Sequence, residues 1–153
     1  MRLGVLALIA ALSLSSLPAE AQVQSAFMKT RDVQSVPRGW VDFCKKHPGE
    51  CGSPSAFAYL RVASVENLKE LSRVNTYVNH LIKPKTDLEH YGMIEHWTYP
   101  DDGYGDCEDY VLLKRRILME LGWPRSALLI TIVYDERQEA HAVLTVRTTE
   151  GEF

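Results

Sequence analysis

Apolar residues recur at a helical period between Ser64 and Pro84. Their spacing of three or four residues is that of an amphipathic helix. Ser64 is a favoured N-cap residue, whereas Pro84 cannot continue a helix. We therefore predict one long helix between these two residues. Its apolar stripe consists of Val65, Leu68, Leu71, Val74, Val78 and Leu81.

A second helix is predicted over residues 107–121, after a shorter one over 37–46. Gly122 takes the position just beyond the second helix, where left-handed backbone is favoured, and Pro124 follows it. The residues that share one face of this helix are Val111, Lys114, Leu118 and Leu121, of which Lys114 is the polar exception.

The end of the chain is predicted to be rich in strands. Residues 127–134 are apolar and β-branched enough for a buried strand. Residues 139–147 form its antiparallel partner in a hairpin, and a third strand begins at 152–153. The long connection over 85–106 is rich in aromatic and turn residues. Connections of that length are uncommon in a compact domain and are often functional.

Composition limits the classes of protein. The chain has 153 residues, of which 46% are hydrophobic and 24% charged, as in one globular domain. The net charge is -3, with 17 basic and 20 acidic residues. A nucleic-acid partner is not expected, because such a protein usually carries a basic surplus.

The N-terminus has the three parts of an export signal. Arg2 is followed by an apolar run over 4–17 and by the cleavage site Ala19-Glu20-Ala21. That run is too short to span a bilayer. We predict a signal peptide over 1–21, a loose arm over 22–36 and one domain over 37–153. The mature protein is then periplasmic or secreted, without stable insertion in the membrane.

The chain has three cysteines. In an oxidising compartment Cys44 and Cys51, close together around a turn-forming segment, are the natural disulfide pair. Two free thiols are the alternative, and zinc would need more ligands. Cys107 is then left over, and an unpaired cysteine in an exported protein is a candidate reactive thiol or intermolecular link.

Cys107 and His141 carry the candidate chemistry. Cys107 begins a predicted helix, where the partial positive charge lowers a thiol pKa, although Asp106, Glu108 and Asp109 oppose that effect. His141 lies between two alanines in a predicted strand, which leaves room for a second element to reach the imidazole. A cysteine and a histidine that approach each other can form a thiolate–imidazolium pair. The structural alternative is an inert buried cysteine and an ordinary strand histidine.

Two motifs resemble one family. Gly105-Asp106-Cys107-Glu108-Asp109-Tyr110, with Trp97-Thr98-Tyr99-Pro100 ahead of it, and His141-Ala142-Val143-Leu144 are similar to the bacterial transglutaminase-like cysteine proteinases. The resemblance implies an α+β, papain-like transglutaminase-core fold. In that fold a cysteine at a helix N-terminus packs on an antiparallel sheet that carries the histidine. Trp97 and Tyr99 either line a substrate cleft or pack beneath their loop.

The resemblance also implies roles. Cys107 is the nucleophile and His141 the general base of a peptidase that forms a thioester with a protein substrate. Some family members are calcium-dependent periplasmic proteases that trim surface adhesins. On that basis we expect Asp106 and Glu108 to bind calcium, with Asp101 or Asp102 as further ligands, and an adhesin as partner.

One departure from the family concerns the third triad residue. The family places an Asp on the strand after the histidine strand, and no Asp follows His141 in this sequence. Asp135 precedes His141, in the turn, and is expected at the wrong end of the strand. This pattern is compatible with a fragment of a longer protein, with a C-terminally truncated gene product and with a Cys-His dyad enzyme. The alternatives to a peptidase are a transglutaminase acyl transferase and a catalytically impaired binding protein.

Overall fold

Helices occupy the first part of the domain and strands its end, as predicted. The structure, a computed structural model, describes residue 28 and residues 35–52 and 62–153. A single 3-10 turn at Arg125–Ala127 precedes the last three strands. In chain order the other elements are α1 (Arg38–Lys46), α2 (Pro48–Cys51), α3 (Val65–Leu81), β1 (Lys83–Pro84), α4 (Asp87–Tyr91), β2 (Tyr104–Gly105), α5 (Cys107–Glu120), β3 (Leu128–Tyr134), β4 (Ala140–Thr148) and β5 (Gly151–Glu152).

The long helix α3 begins at the predicted cap. The Ser64 hydroxyl accepts a hydrogen bond of 3.1 Å from the backbone N–H of Asn67, which satisfies one of the free donors at the helix start. Val74 and Val78 are buried in the middle of the stripe, whereas Val65 at its beginning is exposed. Only the central turns of α3 therefore pack against the core.

Helix α5 lies between α3 and strand β4 and contacts both. Gly122 follows it with φ of 87°, the left-handed conformation expected of a glycine just beyond a helix. The backbone N–H of Trp123 then bonds the carbonyl of Leu118 at 2.9 Å. The main hydrophobic core, assembled around this helix, consists of Val74, Val78, Ile82, Leu113, Leu118, Trp123, Leu128 and Val146.

The predicted hairpin and third strand are confirmed. Strands β3 and β4 pair antiparallel, with Val133 opposite His141. Strand β5 pairs with the end of β4. Beyond it Val146 and Phe153 exchange backbone hydrogen bonds of 2.8 and 3.0 Å. The histidine strand is therefore the central strand of a three-stranded antiparallel sheet.

The prediction that β3 is a buried strand is wrong. Leu128 at its start is buried, but Ile132 is 38% and Tyr134 67% exposed. Among the described residues β3 is hydrogen-bonded to a neighbour on one side only, so its side chains have fewer partners than those of a central strand.

The connection over 85–106 contains structure that the sequence pattern did not predict. Helix α4 starts at a capping box, in which Thr86 and Glu89 each accept a hydrogen bond from the other's backbone N–H. Strand β2 returns to pair in parallel with β1, which places Tyr104 opposite Lys83. This pairing brings the chain back to α3 just before α5 begins.

A second, smaller core holds the first helices against α5. The predicted disulfide between Cys44 and Cys51 is confirmed. Next to it Glu50 accepts hydrogen bonds of 2.7 Å from the Tyr99 hydroxyl and from Nη1 of the buried Arg115. The buried apolar residues of this core are Phe43, Trp97 and Leu112.

The N-terminal predictions fall largely outside the described residues. The predicted signal peptide over 1–21 lies wholly outside them, as does most of the arm over 22–36. Met28 of that arm is described, and its backbone N–H donates to Glu152 Oε2 at 2.8 Å. Within the described ranges no helix has both the length and the apolar character needed to cross a membrane.

Candidate active site

Cys107 is the first residue of α5 and touches the histidine strand. The backbone N–H of Ala142 in β4 donates to its Sγ at 3.4 Å. Sγ itself lies 3.1 Å from Oε2 of Glu108 and donates to it. The side chain is partly buried, and its sulfur is unbonded to another cysteine. The packing of α5 on β4 thus places the thiol beside the residue that follows His141.

His141 and Cys107 share one cleft. A cavity of ≈ 290 Å³, which we call the Cys–His cleft, contains both residues in its lining. The His141 side chain is 45% exposed, so it is open to a substrate. The other residues of the lining include Pro37, Arg38, Glu95, Trp97 and Ile132.

Trp97 packs beneath its loop, one of the two roles that the sequence left open, and it also lines the Cys–His cleft. It is 4% exposed and packs against Phe43 and Leu112 in the smaller core. Its indole N–H donates to Glu95 Oε2 at 3.0 Å. Helix α1 approaches the ring so closely that a Cβ on Gly39 would lie 2.2 Å from Trp97 Cδ1.

The pKa of the Cys107 thiol is raised to about 12. Burial is the main cause, and the hydrogen bond to Glu108 together with the charges of Glu108 and Asp106 adds to it. The Ala142 N–H acts in the opposite direction. The sequence predicts two opposing effects on this pKa, because the helix N-terminus lowers it and the neighbouring acids raise it. In the structure burial and the acids outweigh the helix N-terminus, and the pKa is raised.

Comparison with known families bears on the kind of function that this cleft supports. A family model for the bacterial transglutaminase-like cysteine proteinases (BTLCP) matches residues 30–153. The chain belongs to this family. A search of curated proteins finds no match. The mixed helix-and-sheet architecture is consistent with the α+β transglutaminase-like fold expected from the sequence.

BTLCP membership supports a cysteine-proteinase kind of function. In this BTLCP domain the cysteine opens a helix and the histidine lies on the adjoining antiparallel strand. The two residues predicted from the motifs are therefore brought to one cleft.

Three carboxylates gather near Cys107. Ligand oxygens of Asp87, Asp106 and Glu108 all lie within 4.8 Å of one another, and we call these residues the carboxylate cluster. Asp87 is 4% and Glu108 6% exposed. Burial is the largest cause that raises the pKa of both, that of Glu108 to about 8. Oδ1 of Asp87 and Oδ1 of Asp106 have no hydrogen-bond partner in the described part of the chain.

The other acids predicted as ligands are engaged elsewhere. Asp101 lies 3.5 Å from Arg116, and Asp102 lies 2.8 Å from Nε2 of His90. Neither belongs to the carboxylate cluster. The structure brings together Asp106 and Glu108 from the predicted set and adds Asp87, which the sequence analysis missed. The signal for Asp87 was the Thr86-x-x-Glu89 capping box, which makes Asp87 the first residue of a helix.

Asp135 lies in the turn, as predicted, but it is close to His141. The expectation that it sits at the wrong end of the strand is incorrect, because His141 is only the second residue of β4 and so lies close to the turn. Oδ2 of Asp135 lies 3.6 Å from Nε2 of His141. The sequence alone does not place Asp135 beside His141, whereas the residue pairing between β3 and β4 does.

Proposed function

We propose that this BTLCP domain is an exported cysteine endopeptidase, with Cys107 as nucleophile and His141 as general base. The observation that carries the proposal is the hydrogen bond of 3.4 Å from the Ala142 N–H to Cys107 Sγ. It ties the thiol to the strand position next to His141, in a cleft that both side chains line. A thiol and an imidazole in one open cleft are the parts that acyl transfer by a cysteine enzyme needs.

The reaction proceeds in two steps. His141 takes the proton from Cys107 Sγ, and the thiolate attacks the carbonyl carbon of a substrate amide. The C–N bond breaks, the imidazolium gives its proton to the departing amine, and a thioester remains on Cys107. His141 then deprotonates a water molecule that attacks the thioester, which releases the acid and restores the thiol.

The start of α5 supports the charge that develops on the carbonyl oxygen. The first N–H groups of a helix lack intrahelical acceptors and carry partial positive charge. Cys107 is the first residue of α5, so these donors lie beside the sulfur. We infer that they form part of an oxyanion hole.

We infer that the carboxylate cluster binds a hard divalent cation such as calcium. Carboxylate oxygens are the ligands that calcium prefers. Oδ1 of Asp87 and Oδ1 of Asp106 have no partner among the described residues, and a bound cation would satisfy both oxygens and stabilise the charge of the buried Asp87. The residues present therefore fit the metal, and Asp87, Asp106 and Glu108 would hold it. A bound cation would supply positive charge next to Cys107 and fix the start of α5.

We infer the place of action from the predicted signal peptide and the substrate class from the family. The predicted signal over 1–21 favours a periplasmic or secreted protein. The peptidase family favours a protein substrate, and a cell-surface adhesin is the candidate class.

One assay separates the functions. The protein is incubated with calcium, an unstructured protein and a fluorescent primary amine, and cleaved fragments and amine-labelled chains are measured in parallel. Cleavage that Cys107→Ser abolishes supports the endopeptidase. Amine incorporation without cleavage shows an acyl transferase. Neither product, with wild type equal to Cys107→Ser, contradicts an enzyme and favours a binding protein.

A further inference from the structure

His141 has a carboxylate neighbour at the turn of its own hairpin. Backbone pairing continues beyond β3, because the Asp135 N–H bonds the Glu139 carbonyl at 3.0 Å. Asp135 is therefore opposite Glu139, and His141 is its diagonal neighbour on the same face of the hairpin. Diagonal neighbours on one face lie within reach of long or polar side chains. Oδ2 of Asp135 is 3.6 Å from Nε2 of His141.

The Asp135 carboxylate is held in place by the turn. Its Oδ1 accepts the backbone N–H groups of Arg137 at 2.8 Å and of Glu139 at 2.9 Å. One oxygen is thus engaged with the backbone, and the other is left to face the imidazole. The backbone hydrogen bonds also hold the pKa of this carboxyl below its usual range, so that it is ionised at neutral pH.

We propose that Asp135 is a positioning residue that orients His141 for catalysis. The inference rests on the proposed function. A carboxylate near Nε2 favours the tautomer that carries its proton on that nitrogen. Nδ1 then keeps the free lone pair that accepts the proton of Cys107. Asp135 acts through the imidazole and does not touch the substrate.

The first test reads the tautomer directly. Protein labelled with 15N-histidine is examined by two-bond 1H–15N correlation at pH 8, and His141→Ala identifies the resonances. In the wild type Nε2 is expected to carry the proton. Asp135→Asn keeps Oδ1 for the turn but removes the charge, and it is expected to shift the population toward the Nδ1-protonated form. Glu136→Gln, in the same exposed turn, is the matched control and should leave the tautomer unchanged.

The second test measures the rate at which iodoacetamide alkylates Cys107, in calcium buffer free of transition metals. That precaution matters because Asp135, Glu139 and His141 are close enough to capture such an ion. Asp135→Asn should slow the reaction roughly fivefold, a modest effect because the pair is half-exposed. The melting temperatures of Asp135→Asn and Glu136→Gln should agree, which separates positioning from folding.

The outcomes distinguish the two proposals. If His141→Ala leaves the alkylation rate unchanged, the proposed function fails. If His141→Ala slows alkylation but Asp135→Asn changes neither rate nor tautomer, only the role of Asp135 is overturned. A tautomer that responds to Glu139→Gln and not to Asp135→Asn also overturns it.

Discussion

The contact between Gly39 and Trp97 gives the sharpest stability prediction. A Cβ at position 39 would lie 2.2 Å from Trp97 Cδ1 and 2.9 Å from the backbone oxygen of Glu95. Real Cβ atoms do not approach that closely, so Gly39→Ala must displace the ring or helix α1. Because Trp97 is 4% exposed and packs with Phe43 and Leu112, the ring has little room to move.

The expected loss of stability is best expressed relative to the same substitution at a second helical glycine that has open space around it. Overpacking a filled core costs typically about 1–3 kcal/mol, and the very close approach favours the upper half of that range. Gly49 is also helical, and a Cβ there meets nothing within 4 Å. Both variants gain about 1 kcal/mol of helix propensity, which cancels in the comparison. Gly39→Ala should therefore be about 2–3 kcal/mol less stable than Gly49→Ala.

The assay is thermal unfolding followed by circular dichroism. At about 4 °C per kcal/mol for a domain of this size, Gly39→Ala should melt roughly 8–12 °C below Gly49→Ala. Melting temperatures of the two variants within about 2 °C of each other would refute the packing of α1 on Trp97.

Three further predictions concern other contacts. Glu50→Gln leaves the buried Arg115 charge without its carboxylate and should cost about 2–4 kcal/mol in urea unfolding. Replacing Cys44 and Cys51 together by Ser removes the disulfide and should cost about 2–3 kcal/mol for so short a loop. Burial raises the pKa of Asp109 to about 7, above its value in the unfolded chain. In the presence of a chelator, the free energy of unfolding should therefore fall as the pH rises from about 4 to 7. Asp109→Asn should reduce this dependence of stability on pH, which urea unfolding at several pH values measures.

Periodicity and motifs predicted much of the fold and of the site. The cap at Ser64, the helix that opens with Cys107 and the hairpin that carries His141 follow from local rules of spacing and capping. The third member of the carboxylate cluster, Asp87, does not. Asp87 lies in a helix of five residues, which is too short to show a period.

The remaining misses arise from tertiary packing. Glu108 and Asp109 are buried, although acidic residues are normally exposed. Their burial results from the packing of α5, which the sequence pattern does not show. Asp135 lies next to His141 only in the observed strand register, because a turn of a different length would place Asp135 farther from the imidazole. Exposed Ile132 and Tyr134 show that an apolar stretch alone does not distinguish an edge strand from a central one.

The most direct test of the central claim is to trap the acyl group on Cys107. The protein is mixed with calcium and an activated ester of a short peptide, quenched in acid within seconds and examined by intact-mass and fragment mass spectrometry. We predict a thioester adduct at Cys107 that disappears with time as it hydrolyses, is absent in Cys107→Ser and forms much more slowly in His141→Ala. Adducts that form equally fast without His141, or that never form on Cys107, would contradict the assignment of these two residues as nucleophile and base.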